Sequence, residues 1–492
     1  MKILRTLLAI GIIVCASGVS VAKHKRPQHI RHVETIPYLF GSGQLSREIN
    51  QLIQSEDLDA DIAVYVKSMH SGEVLYSVNA SKPMTPASVL KVLTAEAALI
   101  FMGPNYRFST QVLTDAKSIK NGVLQGNLYI LLNGDPTLTY YDLAELLFAL
   151  KKQQIRAVAG NVYIDNTAYD QRFYGPGWNE DDKGYCYAAP ISAGIVDKNC
   201  LSFQVAPANT KGSPAKVVRS SKYFYPDIKS TVVTKANTAR TCSVHLTNDM
   251  GNAIELDGCM PRGRYAWGVS YVITDVPEYN RSLFKDLLRR LSIRVYGKVT
   301  FGSAGNQLSL INAHASQPLS LLVLEMLKKS DNVIAGALFK KLGQLYFNQP
   351  GSWENGSLAV SRILTQHAGV RTNAMRILDG SGLSSDNLVT ASQIMQVLNY
   401  AYRNQTVGNS FITALPISGV DGTLKNRLTN VTRKIRAKTG TISGVVSLAG
   451  YAVGAKKETL GFVIMVNGSK GKTWRYRALE DKIVTALTQF YR

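Results

Sequence analysis

Residues 85–99 read TPASVLKVLTAEAAL, which sets a serine and a lysine three positions apart in an otherwise apolar stretch. Thr85 suits an N-cap and Pro86 a first helical position, so the pattern predicts a buried helix with Ser88 and Lys91 on one face. Near the positive end of that helix, a lysine desolvated by Val, Leu and Ala should have a lowered pKa and could accept the serine proton. The plainer alternative is a capping serine beside a lysine that reaches out to water. The same spacing recurs at Ser213 with Lys216, Ser282 with Lys285 and Ser469 with Lys472, so spacing alone selects nothing. Ser213 precedes a proline in a basic loop, Lys285 falls on the charged face of an amphipathic helix, and Ser469 lies in the turn NGSKGK. Only Ser88 opens an apolar helix.

Two further motifs could complete a site. Ser-Asp-Asn occurs at 330–332, between the helical runs LSLLVLEMLKK and VIAGALFKKLG, and again at 385–387, within DGSGLSSDN. A tight junction between two helices fixes side chains, whereas a Gly- and Ser-rich stretch forms loops for its own reasons. The first copy, with Ser330 and Asn332, is therefore expected to be the functional one. Lys438-Thr439-Gly440-Thr441 occurs once, in a strand-like run where Gly440 would admit a substrate backbone closely.

The elements around these motifs suggest how they are held. DIAVYVKSM and GEVLYSVNA read as a hairpin after a helix near Leu45–Gln54. IRAKTGTIS, VVSLAGYAV and TLGFVIMVN read as three strands, and Trp474–Tyr491 as a closing amphipathic helix. Two strands open the chain and three close it, which fits an α+β fold with one antiparallel sheet covered by helices. Between Val112 and Ala313 the text changes to short strands with turn signals, interrupted by the helix YNRSLFKDLLRRL. This is a mostly β insertion of roughly two hundred residues, too long for a loop.

The first 22 residues have a basic start, an apolar run from Leu7 to Val14 and small residues at Ser20 and Ala22, and read as a cleaved signal peptide. The run is shorter than the roughly 20 residues of a membrane span, and no later segment has that character. The expected location is the periplasm, with association to wall or membrane left open. Cys186, Cys200, Cys242 and Cys259 remain after cleavage, an even number that points to disulfides. Three pairings are open, and the sequence-local pairs Cys186–Cys200 and Cys242–Cys259 are favoured. No spacing suggests a metal site, and no cofactor is expected. The formal charge of +22 anticipates an acidic partner surface, and for an exported chain that is anionic wall polymer or membrane rather than nucleic acid.

Ser-x-x-Lys, Ser-Asp-Asn and Lys-Thr-Gly in this order are the set used by penicillin-binding proteins and class A β-lactamases. The sequence resembles the class C low-molecular-mass penicillin-binding proteins, the D-alanyl-D-alanine carboxypeptidases and endopeptidases of the penicillin-binding protein 4 type. The likeness also covers NGDPTL at 133–138, GPGW at 175–178, AAPISAGIVDKNC at 188–200, DGSGLSSDN at 379–387 and LPISGVDGTLKNR at 415–427. One departure is Gly336, where family members often carry an acid.

The resemblance implies a serine DD-peptidase/β-lactamase-like domain over 36–111 and 314–492. The insertion would form a domain over 112–192 and 274–313 and a β domain over 193–273. It implies that Ser88 attacks the carbonyl between two D-alanines with Lys91 as base, and that the N–H groups of Ser88 and Thr441 form the oxyanion hole. Ser330 would relay a proton to the leaving amine and Asn332 would hold a substrate amide. Lys438 would supply positive potential, and Thr439 and Thr441 would bind the terminal carboxylate. By its spacing to Cys186, Asp182 is the match for a family aspartate that reads the substrate; a solvated acidic turn at 180–182 is the alternative. The partners implied are peptidoglycan peptides and β-lactams. Two rivals stand beside this reading: a β-lactamase, which has no use for the long insertion, and a catalytically silent wall-binding scaffold, which has no use for a desolvated lysine.

Overall fold

The computed structural model describes residues 39–56, 58–237, 242–248, 252–468 and 471–491. The expected signal peptide and Ser469 lie outside the described residues. A five-stranded sheet runs in the order Ile435–Ile442, Val445–Val453, Thr459–Gly468, Ala60–Ser68, Val74–Val78, with every neighbour antiparallel. Its first two strands in sequence and its last three are those anticipated, and the ends of the chain meet where Ala60–Ser68 pairs with Thr459–Gly468.

The sheet is buried on both faces, which is why Val445–Val453 does not alternate and is apolar nearly throughout, with Ser447 buried within it. On one face Val64, Val66, Leu448 and Phe462 pack against Leu45 and Ile49 of helix Gly41–Glu56 and Tyr476 and Ile483 of helix Thr473–Leu487. On the other, Ala63, Ala449, Val463 and Met465 share a core with helices Lys91–Met102, Leu319–Lys329, Asn332–Phe347 and Ala391–Arg403. Lys91–Met102 is mostly apolar and buried from Lys91 through Leu99, because other helices surround it.

The segment between 109 and 315 builds its own sheets. The largest has the order Val299–Phe301, Val162–Asp165, Leu128–Leu131, Ser109–Thr114, Ser309–Ala315 and mixes parallel with antiparallel pairs. Helix Val276–Arg290 is the one expected. A second helix, Tyr140–Lys152, was not; its strand-like beginning hides a capping box in which Thr139 and Asp142 cap each other's backbone. Both helices pack into a core with Leu128, Ile130, Val162 and Ile164 that is separate from the cores on the two faces of the first sheet. Cys186 is bonded to Cys200 and Cys242 to Cys259, the sequence-local pairs.

Candidate active site

Ser88 does not stand in an α-helix. Residues Ala87–Leu90 form a 3₁₀ turn, and the α-helix begins at Lys91. Thr85 caps nothing, because its hydroxyl donates to the Ser385 carbonyl at 3.0 Å and its N–H to Asn467 Oδ1 at 2.8 Å. The turn is forced by its neighbours. Ala87 has φ +46°, a left-handed conformation that a side chain resists. A Cβ on Gly382 would stand 1.9 Å from the Ala87 carbonyl oxygen, and one on Gly440 would stand 3.0 Å from the Ser88 nitrogen and 2.2 Å from Ser447 Oγ. Two glycines from distant segments thus pinch the Ser88 turn. Within the chain itself, the close approach that Gly440 permits is to Pro86–Ser88.

Lys91 is fully buried. Its Nζ donates to Ser88 Oγ at 3.1 Å, Asn332 Oδ1 at 2.6 Å and the Ser381 carbonyl at 2.7 Å. Burial lowers its pKa to about 7, against the opposing pull of Asp379 and Asp331. In the neutral amine two N–H groups can serve Asn332 and Ser381, leaving the lone pair to the Ser88 hydroxyl.

Ser330 ends helix Leu319–Lys329 in a left-handed conformation, and Asp331 caps the next helix by accepting from the Ile334 N–H at 2.9 Å. This sharp reversal turns Ser330 and Asn332 to the same centre. Lys438 Nζ, also fully buried, donates to Ser330 Oγ at 2.9 Å and to the Thr439 carbonyl at 2.5 Å. Burial pushes its amine well down, and Lys91 pushes it further. Asn332 also donates from Nδ2 to the Tyr187 carbonyl at 2.7 Å, so it bridges Lys91 to the insertion.

Ile435–Ile442 is an edge strand. The Ala437 N–H bonds outward to the Pro416 carbonyl, so by two-residue alternation Thr439 and Thr441 offer their amides on the same edge. The Thr439 hydroxyl donates to Thr423 Oγ1 at 2.8 Å, and Arg477 donates to Thr441 Oγ1 at 3.1 Å. Asp182 ends the short turn Glu180–Asp182, and its carboxylate accepts from the Tyr187 hydroxyl at 2.7 Å. Through Tyr187 it stands one residue removed from Asn332.

The structure thus gathers Ser88, Lys91, Ser330, Asn332, Lys438 and Thr439–Thr441 around one centre, with Asp182 at its margin. Of the other tetrads, Lys216 and Lys285 are exposed. Sequence reasoning missed the Ser381 and Tyr187 carbonyls, Thr423, Arg477 and Asp379. The buried Asp379 carboxylate accepts from Trp178 Nε1 at 2.6 Å and from the N–H groups of Ser381, Gly382 and Ser384. Asp379 and Ser381 fall in DGSGLSSDN, Thr423 in LPISGVDGTLKNR and the Asp379 partner Trp178 in GPGW, stretches noticed but given no role; Arg477 had no signal. Gly336 faces Ile191, and a Cβ there would lie 2.8 Å from it, so an acid has no room.

The model of the D-Ala-D-Ala carboxypeptidase 3 (S13) family matches residues 45–490. D-alanyl-D-alanine carboxypeptidase DacB of Haemophilus influenzae is 32% identical over 424 residues, covering 85% of this chain and 88% of that protein. The crystal structure of penicillin binding protein 4 from Haemophilus influenzae matches with a TM-score of 0.80 at 31% identity, over 89% of this chain and 99% of that one. The same protein complexed with a novel β-lactam matches with a TM-score of 0.75 at 30% identity, over 90% and 99%. Matched nearly from end to end by the family model and over most of its length by such a relative, the chain belongs to the D-Ala-D-Ala carboxypeptidase 3 (S13) family.

Proposed function

We propose that this serine-type D-Ala-D-Ala carboxypeptidase trims and cleaves peptidoglycan stem peptides through an acyl-enzyme on Ser88. The observation that carries the reading is the buried Lys91 amine, with a pKa near 7, in hydrogen-bond contact with the half-buried Ser88 hydroxyl. Lys91 takes the hydroxyl proton as Ser88 Oγ attacks the carbonyl between two D-alanines. The N–H groups of Ser88 and Thr441 hold the oxyanion, and the edge strand offers a ladder on which an extended peptide can lie. Ser330, polarised by Lys438, delivers a proton to the leaving amine. Asn332 holds the substrate amide, and Thr439 and Thr441 take the terminal carboxylate, whose negative charge draws the Lys438 amine, held well down by burial in the free chain, back toward its protonated form. Water then resolves the ester; a β-lactam forms the same bond and leaves slowly.

Asp182 is assigned the reading of the substrate side chain. A diaminopimelate-type stem carries an ammonium that a carboxylate at the margin of the site, on the far side of Tyr187 from Asn332, can pair with. The periplasm is the expected compartment; among the described residues no helix is long and apolar enough to cross a membrane. The +22 formal charge suits an anionic wall or membrane surface as a second partner. Digestion of purified peptidoglycan tests the reading: free D-alanine and monomers released from cross-linked dimers are expected. An unchanged muropeptide profile from a chain that still acylates with penicillin would contradict it.

A further inference from the structure

Asp197, Lys198 and Asn199 have φ of +49°, +58° and +52° in succession. Three consecutive left-handed residues without a glycine persist only where surrounding structure imposes them. The constraints are visible. The Asp197 N–H bonds to the Leu138 carbonyl, and the Asp197 carboxylate accepts from the Tyr140 N–H at 3.3 Å. The buried Asn199 side chain donates to the Pro190 carbonyl at 2.9 Å and accepts from the Val196 N–H at 3.3 Å. Cys200 follows, tied to Cys186.

The result of this distortion is the position of one side chain. Lys198 Nζ donates to Glu325 at 2.9 Å and to Asp331 at 2.5 Å, and Asp331 is the middle residue of Ser330-Asp331-Asn332. Burial alone would lower the Lys198 ammonium, but the two carboxylates outweigh it and the net direction is up. From the other end of the same disulfide, the carbonyl of Tyr187 holds Asn332. The insertion therefore grips the tripeptide at two of its three residues, through segments stapled together by Cys186–Cys200. Between them lies a cleft of about 600 Å³ lined by Tyr187, Lys198, Ser330 and Asn332.

We propose that Lys198 is a positioning residue for acylation, a brace from the insertion that holds Ser330-Asp331-Asn332 in register with Lys91 and Lys438. The proposal rests on the acyl-enzyme reading above. It has an electrostatic consequence that a simple staple between elements lacks. The charged groups facing Lys91 are Asp379 of the 379–387 loop, Asp331 of the junction and Lys438 of the edge strand, with Glu96 further along its own helix. Asp331 favours protonated Lys91, and Lys198 offsets Asp331. Removing the Lys198 charge should raise the Lys91 pKa and move the acidic limb of acylation to higher pH.

The test is the second-order rate of acylation by a fluorescent penicillin, measured across pH on the full chain and on Lys198→Met, Lys198→Gln and Lys198→Arg. Lys198→Met should lose about tenfold in the acylation step while the non-covalent dissociation constant stays within about twofold. Its acidic limb should move up by about half a pH unit, and Lys198→Arg should recover both. Lys198→Gln keeps a donor without the charge, so it should show the displaced limb even if Lys198→Met does not fold. An unmoved limb in Lys198→Gln, or a loss that tracks only the fraction of folded protein and is not rescued by arginine, would overturn the brace. A parent chain that never acquires the label would instead remove the acyl-enzyme reading beneath it.

Discussion

The tripeptide Ser-Asp-Asn occurs at 330–332, between two helices, and at 385–387, in a loop wound around Asp379, and the two copies use their side chains in opposite ways. In the first, Ser330 meets Lys438, Asn332 joins Lys91 to the Tyr187 carbonyl, and Asp331 caps a helix. All three stay half-buried. In the second, Asn387 is fully buried and folds inward. It accepts from the Leu378 N–H at 2.7 Å and donates to the Ser384 carbonyl at 3.0 Å, while Ser385 and Asp386 face solvent. The second copy is not idle, since its loop carries the Ser381 carbonyl that holds Lys91 and the Gly382 that pinches the Ser88 turn. One copy turns its side chains to Lys91 and Lys438 and the other builds the wall behind them. Residue type does not decide between them; backbone setting does.

Substitution should separate the two copies most sharply in acylation. Ser330→Ala or Asn332→Ala should slow acylation by penicillin by about a hundredfold or more, the usual loss of a transition-state donor. Ser385→Ala and Asn387→Ala should stay within about twofold of the parent. Stopped-flow acylation rates decide this, and a reversed ranking would assign the roles the wrong way round. Asp182→Asn, acting through the edge of the site rather than the tripeptide, should lower kcat/KM for diaminopimelate peptides by about tenfold, or about 1.4 kcal/mol. It should leave penicillin acylation nearly unchanged; equal losses on both would mark the turn at 180–182 as structural.

Stability should rank the copies the other way. Asn387→Ala strands a buried N–H and an inward carbonyl, so its unfolding free energy should fall by about 1–3 kcal/mol. Denaturant midpoints should show Asn332→Ala less affected. The smallest expected effect is on pH. In the proposed mechanism Lys91 must be neutral to take the Ser88 proton, so acylation should rise as pH passes upward through about 7, the Lys91 value. Asp331 raises that value, so Asp331→Asn should move the limb to lower pH, whereas Asp386→Asn should not move it.

The five-stranded sheet was legible because its strands are long and its flanking helices periodic. The order of three motifs was legible because each needs particular side chains. What escaped the sequence lacks such a mark. The carbonyls of Ser381 and Tyr187 can come from any residue type. The 3₁₀ turn at Ser88 is imposed by Gly382 and Gly440, which are 294 and 352 positions away in the numbering of the chain. Lys198 looks like any surface lysine until the left-handed run at 197–199 aims it. Helix Tyr140–Lys152 was lost for a different reason, because its capping box follows directly on a strand and a turn.

The central claim is that Ser88 is the nucleophile of this assembly. Reaction with benzylpenicillin followed by mass mapping of the digested protein should place the adduct on Ser88, and Ser88→Ala should cut labelling by about a thousandfold or more. An adduct on any other serine, or undiminished labelling of Ser88→Ala, would contradict the account.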